Sequence, residues 1–106
     1  MEVLLTTTAE VPGRKVFEIL GVVRGNTVRS RNIGRDIGAS FKSIVGGEIK
    51  SYTEMISQAR DEALNRMINE AVELGADAVL NVRFMTSGVM QGASEILAYG
   101  TAVKLK

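Results

Sequence analysis

The sequence contains no cysteine and no histidine. The first absence excludes disulfides, thiolate metal sites and a cysteine nucleophile. The second removes the commonest general base near neutral pH, the commonest transition-metal ligand and every Ser-His triad. Tryptophan is also missing, and there are only three phenylalanines, two tyrosines and one proline. The core is therefore expected to be mostly aliphatic, and few rings are available to stack on bases, so nucleic acid is an unlikely partner. The net charge of +1 over 106 residues gives no global case for nucleic acid or membrane binding, although a local patch remains open. No stretch approaches the roughly 18 apolar residues of a membrane span. The start, Met1-Glu2-Val3-Leu4-Leu5, places an acid where a signal peptide needs a positive charge. These features lead us to expect a soluble, cytoplasmic protein with no membrane partner.

Hydrophobic residues make up 45% of the chain and charged residues 24%, as in an ordinary globular domain. The length fits a single domain over residues 1–106. The clearest element is a long helix over Ser51–Ala78. Ser51 and Glu54 form an S-x-x-E capping box at its expected start, and Gly75 supplies a left-handed residue at its end. On a helical wheel Tyr52, Ile56, Ala59, Ala63 and Met67 share a stripe, with Leu64, Ile68 and Ala71 as a shoulder. Either the whole width faces one core, or the stripe faces the chain's own sheet and the shoulder faces another subunit.

Around that helix the pattern predicts strands at both ends. Val3–Thr8 is a short β-branched run. Pro12-Gly13 has the order a type II turn favours. Lys15–Arg29 reads as one long bent strand or two short ones. Gly21 marks a bulge or close approach, and Gly25-Asn26 a turn or second bulge. Asn32–Val45 has helical spacing at Ile33, Ile37, Phe41, Ile44 and Val45, with Asn32 as N-cap and Gly34 and Gly38 on one face. Gly46-Gly47 stops it, and Glu48-Ile49-Lys50 links it to the long helix. Ala78–Met85 alternates, with Ala78, Leu80, Val82 and Phe84 on one face. Thr86–Ser94 is a connector. Glu95–Lys106 is the last strand, and its face of Ile96, Ala98, Gly100 and Ala102 is small enough to lie under the long helix. The order β-β-α-α-β-β predicts an α+β fold, an antiparallel sheet covered on one face by two helices.

Several stretches together resemble the YbjQ-like family, whose domain is customarily called "putative heavy-metal-binding". They are Thr6-Thr7-Thr8, Gly21-Val22-Val23, Arg31-Asn32-Ile33 with Arg35-Asp36, Val45-Gly46-Gly47, Ser51-Tyr52-Thr53-Glu54, Ala59-Arg60 with Ala63, and Gly75-Ala76-Asp77-Ala78-Val79. The resemblance runs over nearly the whole chain. It implies a small α+β subunit assembled as a ring, a homopentamer, with no established enzymatic activity.

Candidate chemistry is sparse. Heavy and soft metals favour thiolate, thioether or imidazole, and here only the thioethers of Met1, Met55, Met67, Met85 and Met90 remain. Methionine is more often core filler than ligand. Asp36, Glu48 and Glu54 could supply oxygens to a hard metal. Arg24, Arg29, Arg31 and Arg35 form a basic cluster leading into a helix start, where first-turn amides could hold an anion. Arg60 lies at the border of the stripe. Its stem can snorkel over apolar surface, or its head can meet an acid such as Asp36 or an anion. Gly46-Gly47 is not a P-loop, because the following Gly-Lys-Ser/Thr is missing. No acid–base pair has a recognised spacing, so the chain is expected not to be an enzyme. The leading expectation is a homo-oligomeric module for a small anion, metal ion or other small ligand. Its candidate residues are Asn32, Arg35, Asp36, Glu48, Tyr52 and Arg60. The alternatives are a purely structural self-assembling scaffold and an anion or nucleic-acid site on the Arg24–Arg35 cluster.

Overall fold

A computed structural model describes residues 2–30, 47–90 and 93–106, with the backbone alone for Ser30 and for Gly47–Tyr52. The elements are β1 (Leu4–Leu5), β2 (Val16–Ser30), α1 (Gly47–Glu73), β3 (Ala78–Met90) and β4 (Ala93–Leu105). They build one four-stranded sheet in the order β1-β3-β4-β2. The α+β class is as expected, but the sheet is mixed and not antiparallel: β1 runs parallel to β3, with Leu4 opposite Ala78. The cause is the segment between β1 and β2. It carries the chain back across the end of the sheet, so β2 starts again from the same end, on the far edge. The Pro12-Gly13 turn forms inside this segment, with Gly13 at φ 78° and the Arg14 N–H bonded to the Val11 carbonyl at 3.1 Å. Thr8 Oγ1 donates to the Glu10 carbonyl, so in its 2.7 Å contact with Thr6 Oγ1 the Thr6 hydroxyl is the donor. Val11 then packs on Ala78, Leu80, Val103 and Leu105, a small second core on the sheet face away from the helix.

Among the described residues there is one helix, and the expected helix over Asn32–Val45 lies outside them. The long helix begins four residues earlier than the sequence suggests, at Gly47. Glu48-Ile49-Lys50 is thus its first turn and no linker, and Ser51 and Glu54 are internal positions, not a capping box. Nothing in Glu48-Ile49-Lys50 breaks a helix, and an acid at Glu48 suits the positive end of the dipole. The other end closes as expected. Gly75 adopts φ 77°, its N–H bonds the Val72 carbonyl, and the Ala76 N–H bonds the Ala71 carbonyl, both at 3.0 Å. These are the paired bonds of a Schellman motif.

The helix packs mainly on β2 and less on β4. Ala59, Ala63, Met67 and Ala71, each four residues from the next, are fully buried, while Leu64 and Ile68 of the shoulder stay half-exposed. Under them lie Val23, Ile96, Ala98 and Ala102, so the small-residue face of β4 is part of the helix seat, beside β2. Gly25 explains the close approach. A Cβ there would run into the Ala63 carbonyl and the Met67 N–H of α1. Gly25-Asn26 is neither turn nor bulge, since pairing continues unbroken from Gly25↔Ala98 to Asn26↔Leu97. The bulge is at Gly21, where the register shifts and φ reaches 132°.

In β3 the expected alternation fails. Asn81 sits at φ 54° in a bulge between Leu80 and Arg83. One extra residue reverses parity. Val79 and Val82 therefore face the helix core, and Ala78 and Leu80 face the opposite side with Val11. The expected connector Thr86–Ser94 is mostly strand, with Thr86 paired to Ile96 and Gly88 to Ser94. The radius of gyration is 17.1 Å, against about 13 Å for a compact chain of this size.

Candidate functional site

The densest polar arrangement lies along the seam between α1 and β2. Glu62 is its hub. One carboxylate oxygen accepts from Arg29 Nη2 at 2.7 Å and the other from Arg66 Nη2 at 2.6 Å. Arg66 also donates to the Asn26 carbonyl at 2.5 Å, and Asn26 Nδ2 donates to Glu95 at 2.9 Å. One turn further along the helix, Glu70 accepts from the Arg24 N–H at 3.3 Å. The hydrogen bond from Arg29, aided by the positive charge of Arg66, holds the Glu62 carboxyl below its ordinary range. Arg29 is thereby paired, sharing the single negative charge of Glu62 with Arg66. Of the basic cluster read from the sequence, Arg24 and Arg29 are described, and Arg29 is already engaged by an acid of its own chain.

The six candidate residues divide sharply. Asn32, Arg35 and Asp36 lie outside the described residues. Glu48 and Tyr52 sit in the first two turns of α1, described by backbone alone. Arg60 is exposed on α1, one residue after buried Ala59, and no ion pair holds it among the described residues. Other motif residues have structural duties. Gly75 closes the helix, Ala76 is core, and Asp77 Oδ2 accepts the Leu105 N–H at 2.9 Å. Arg83, which sequence reasoning passed over, donates to the carbonyls of Thr7 and Val82 at 3.0 and 2.9 Å. Only the Glu62–Arg66 pair carried a local signal, its i,i+4 spacing. Arg29, Asn26 and Glu95 come together through the fold.

The donor set for a metal is poor. Among the described residues no group of three or more acids is gathered. Met67 is buried in the core, while Met85 and Met90 are exposed on β3. With no cysteine and no histidine in the chain, these residues do not fit a soft or heavy metal. A shallow hollow is lined by Ala9–Val16, the loop between β1 and β2 with the first residue of β2. No helix among the described residues is long and apolar enough to cross a membrane.

What is prominent instead is bare apolar surface. On β3, Phe84, Met85, Val89 and Met90 are exposed, with Met90 71% accessible. On β2, Phe17, Ile19, Val22 and Val28 are exposed, Ile19 and Val22 at 71%. The two sets lie on strands separated by β4.

A family model described as "Putative heavy-metal-binding" matches residues 3–106. The chain is 66% identical over 105 residues to a UPF0145 protein of Archaeoglobus fulgidus, covering 99% of this chain and 97% of that one. It is 63% identical over 102 residues to a UPF0145 protein of Photobacterium profundum, covering 96% and 99%. A crystal structure of a Pediococcus pentosaceus protein of unknown function, from the DUF74 family, matches with a TM-score of 0.66 over 98% of both chains. At 18% identity that likeness bears on the fold alone.

Proposed function

The chain belongs to the UPF0145 family, whose model carries the description "Putative heavy-metal-binding", and from that premise we propose that it is a non-enzymatic, self-assembling subunit of a ring, a homopentamer. The observation that carries this reading is the bare apolar surface on β2 and β3. Large side chains of this kind offer roughly 150–200 Å² each when fully exposed, so the two patches together present on the order of 800 Å². A standard interface of about 1,600 Å² holds about 900 Å² of apolar area; the eight side chains approach that amount, divided between the two faces of the sheet, since Phe84 lies beside Ala98 on the helix face and Met85 beside Leu97 on the other. The patches differ and sit toward opposite edges of the sheet. A two-fold contact uses the same patch twice, whereas two unlike patches favour head-to-tail contacts that close into a ring.

Within that ring the proposed ligand site lies at subunit boundaries, near Asn32–Asp36 and Glu48–Arg60. The support is the grouping of Asn32, Arg35, Asp36, Glu48, Tyr52 and Arg60 in the sequence, together with the exposure of Arg60, which has no ion pair among the described residues. The ligand class is a small anion or an acidic metabolite, since the donor set does not suit a soft metal. Light scattering tests the assembly. A thermal-shift screen over inorganic phosphate, nucleotides, acidic metabolites and metal ions tests the site, and no stabilisation by any of them would leave only the structural scaffold. The reading that places an anion or nucleic acid on the Arg24–Arg35 cluster is weakened by the Arg29–Glu62 pair.

A further inference from the structure

The two edges of the sheet are treated differently. On β2 the Arg24 N–H is taken by Glu70 and the Asn26 carbonyl by Arg66, both from α1. Helix side chains thus occupy backbone positions that an incoming strand would use. The same strand carries register shifts between Val16 and Glu18 and between Ile19 and Gly21. Plugging and bulging are two ways in which proteins blunt an edge.

Among the described residues, the outer edge of β3 is closed only along its first half. The Asp77 and Val79 carbonyls accept from Leu4 and Thr6, the Val82 N–H donates to Thr6, and the Val82 carbonyl accepts from Arg83. Backbone groups alternate in direction along a strand, so from Val82 onward those of Phe84, Thr86 and Gly88 also point outward. Among the described residues nothing bonds to them. The stretch Phe84-Met85-Thr86-Ser87-Gly88 contains no charge and no proline, the features that usually guard such an edge. It is continuous with the exposed Phe84, Met85, Val89 and Met90 patch.

We infer that the β3 edge from Phe84 to Gly88 is a strand-pairing edge, filled by a strand of a second copy of this chain. The inference rests on the self-assembly reading and names the contact that reading leaves open. Backbone hydrogen bonds fix the register, and the flanking apolar side chains supply the buried area.

The test joins hydrogen exchange with two variants at one position. In the assembled wild-type protein the amides of Phe84, Thr86 and Gly88 are expected to be protected, and to lose that protection on dilution to monomer. Thr86→Pro removes the outward N–H at an edge position that makes no bond among the described residues, so the subunit is expected to fold and to associate about tenfold or more weakly. Thr86→Val keeps the N–H and is expected to assemble like wild type. Fast exchange at Thr86 in the assembly, or wild-type assembly of Thr86→Pro, overturns the edge inference and leaves self-assembly standing. Protection that persists in the diluted monomer also overturns it, because the edge would then be covered by its own chain. A wild-type protein that is monomeric at every concentration overturns both. If Thr86→Pro does not fold, the exchange measurement on wild type decides alone.

Discussion

Gly25→Ala probes the contact on which the fold is built. The added methyl would meet the Ala63 carbonyl and Met67 amide of α1 well inside van der Waals contact, with Arg66 Cβ at 2.7 Å. Two of those three neighbours are helix backbone and cannot swing aside, so the middle of α1 must lift by about 1 Å. A gap of 0.5–1 Å forfeits about a quarter to a half of the dispersion well at each contact. Over the stripe Ala59, Ala63 and Met67, whose burial is worth several kcal/mol, the loss is about 1–2 kcal/mol. The same lift stretches the 3.1 Å hydrogen bond from buried Thr27 Oγ1 to the Ala59 carbonyl, worth about 1 kcal/mol. The expected total is about 2–3 kcal/mol, in the upper part of the range of overpacking costs. Urea denaturation followed by far-UV circular dichroism measures it, with Ser57→Ala on the exposed side of α1 as a control expected to stay within about 0.5 kcal/mol. Equal stability of Gly25→Ala and wild type would refute the seating of α1 on β2.

Gly75→Ala is expected to cost about 1–2 kcal/mol in the same assay. Its φ of 77° is the left-handed value, and the nearest atom to an added Cβ is a flexible Lys104 carbon at 3.9 Å, so the penalty is backbone strain alone. Glu62, with its pKa held below 4.5 by Arg29 and Arg66, contributes stability that is present above about pH 4.5 and lost as pH falls through the lowered value. Glu62→Gln is therefore expected to be less stable than wild type at neutral pH, with the gap closing as pH drops below 4.5, read from urea midpoints at each pH. Added Cd²⁺ or Zn²⁺ is expected to leave the melting temperature unchanged. A site at one hundredth of the metal concentration would add about 2.7 kcal/mol, which thermal shift resolves easily.

The sequence revealed local features more readily than long-range ones. Gly75, Pro12-Gly13 and the Gly21 bulge announce themselves because a single residue decides the backbone there. The small face of Ile96, Ala98, Gly100 and Ala102 predicted the helix seat correctly, since period-two patterning survives in an unbulged strand. The same pattern misled in β3, because Asn81 is a non-glycine residue in a left-handed bulge and leaves no trace in hydropathy. Gly25-Asn26 reads as a turn or second bulge because a close backbone approach, a turn and a bulge all call for glycine. The parallel pairing of β1 depends on where the loop between β1 and β2 carries the chain, which no periodicity reports. Of the candidate site, Arg60 alone is fully described, exposed and without an ionic partner among the described residues. The Arg29–Glu62–Arg66 network was only half visible, as the i,i+4 pair.

Native mass spectrometry of the wild-type chain tests the central claim most directly, that the bare surfaces of β2 and β3 are subunit interfaces. Five copies of an 11.4 kDa chain give a closed species of about 57 kDa. That species, persisting at micromolar concentration, is the expected result. A single peak at the mass of one chain would contradict the account.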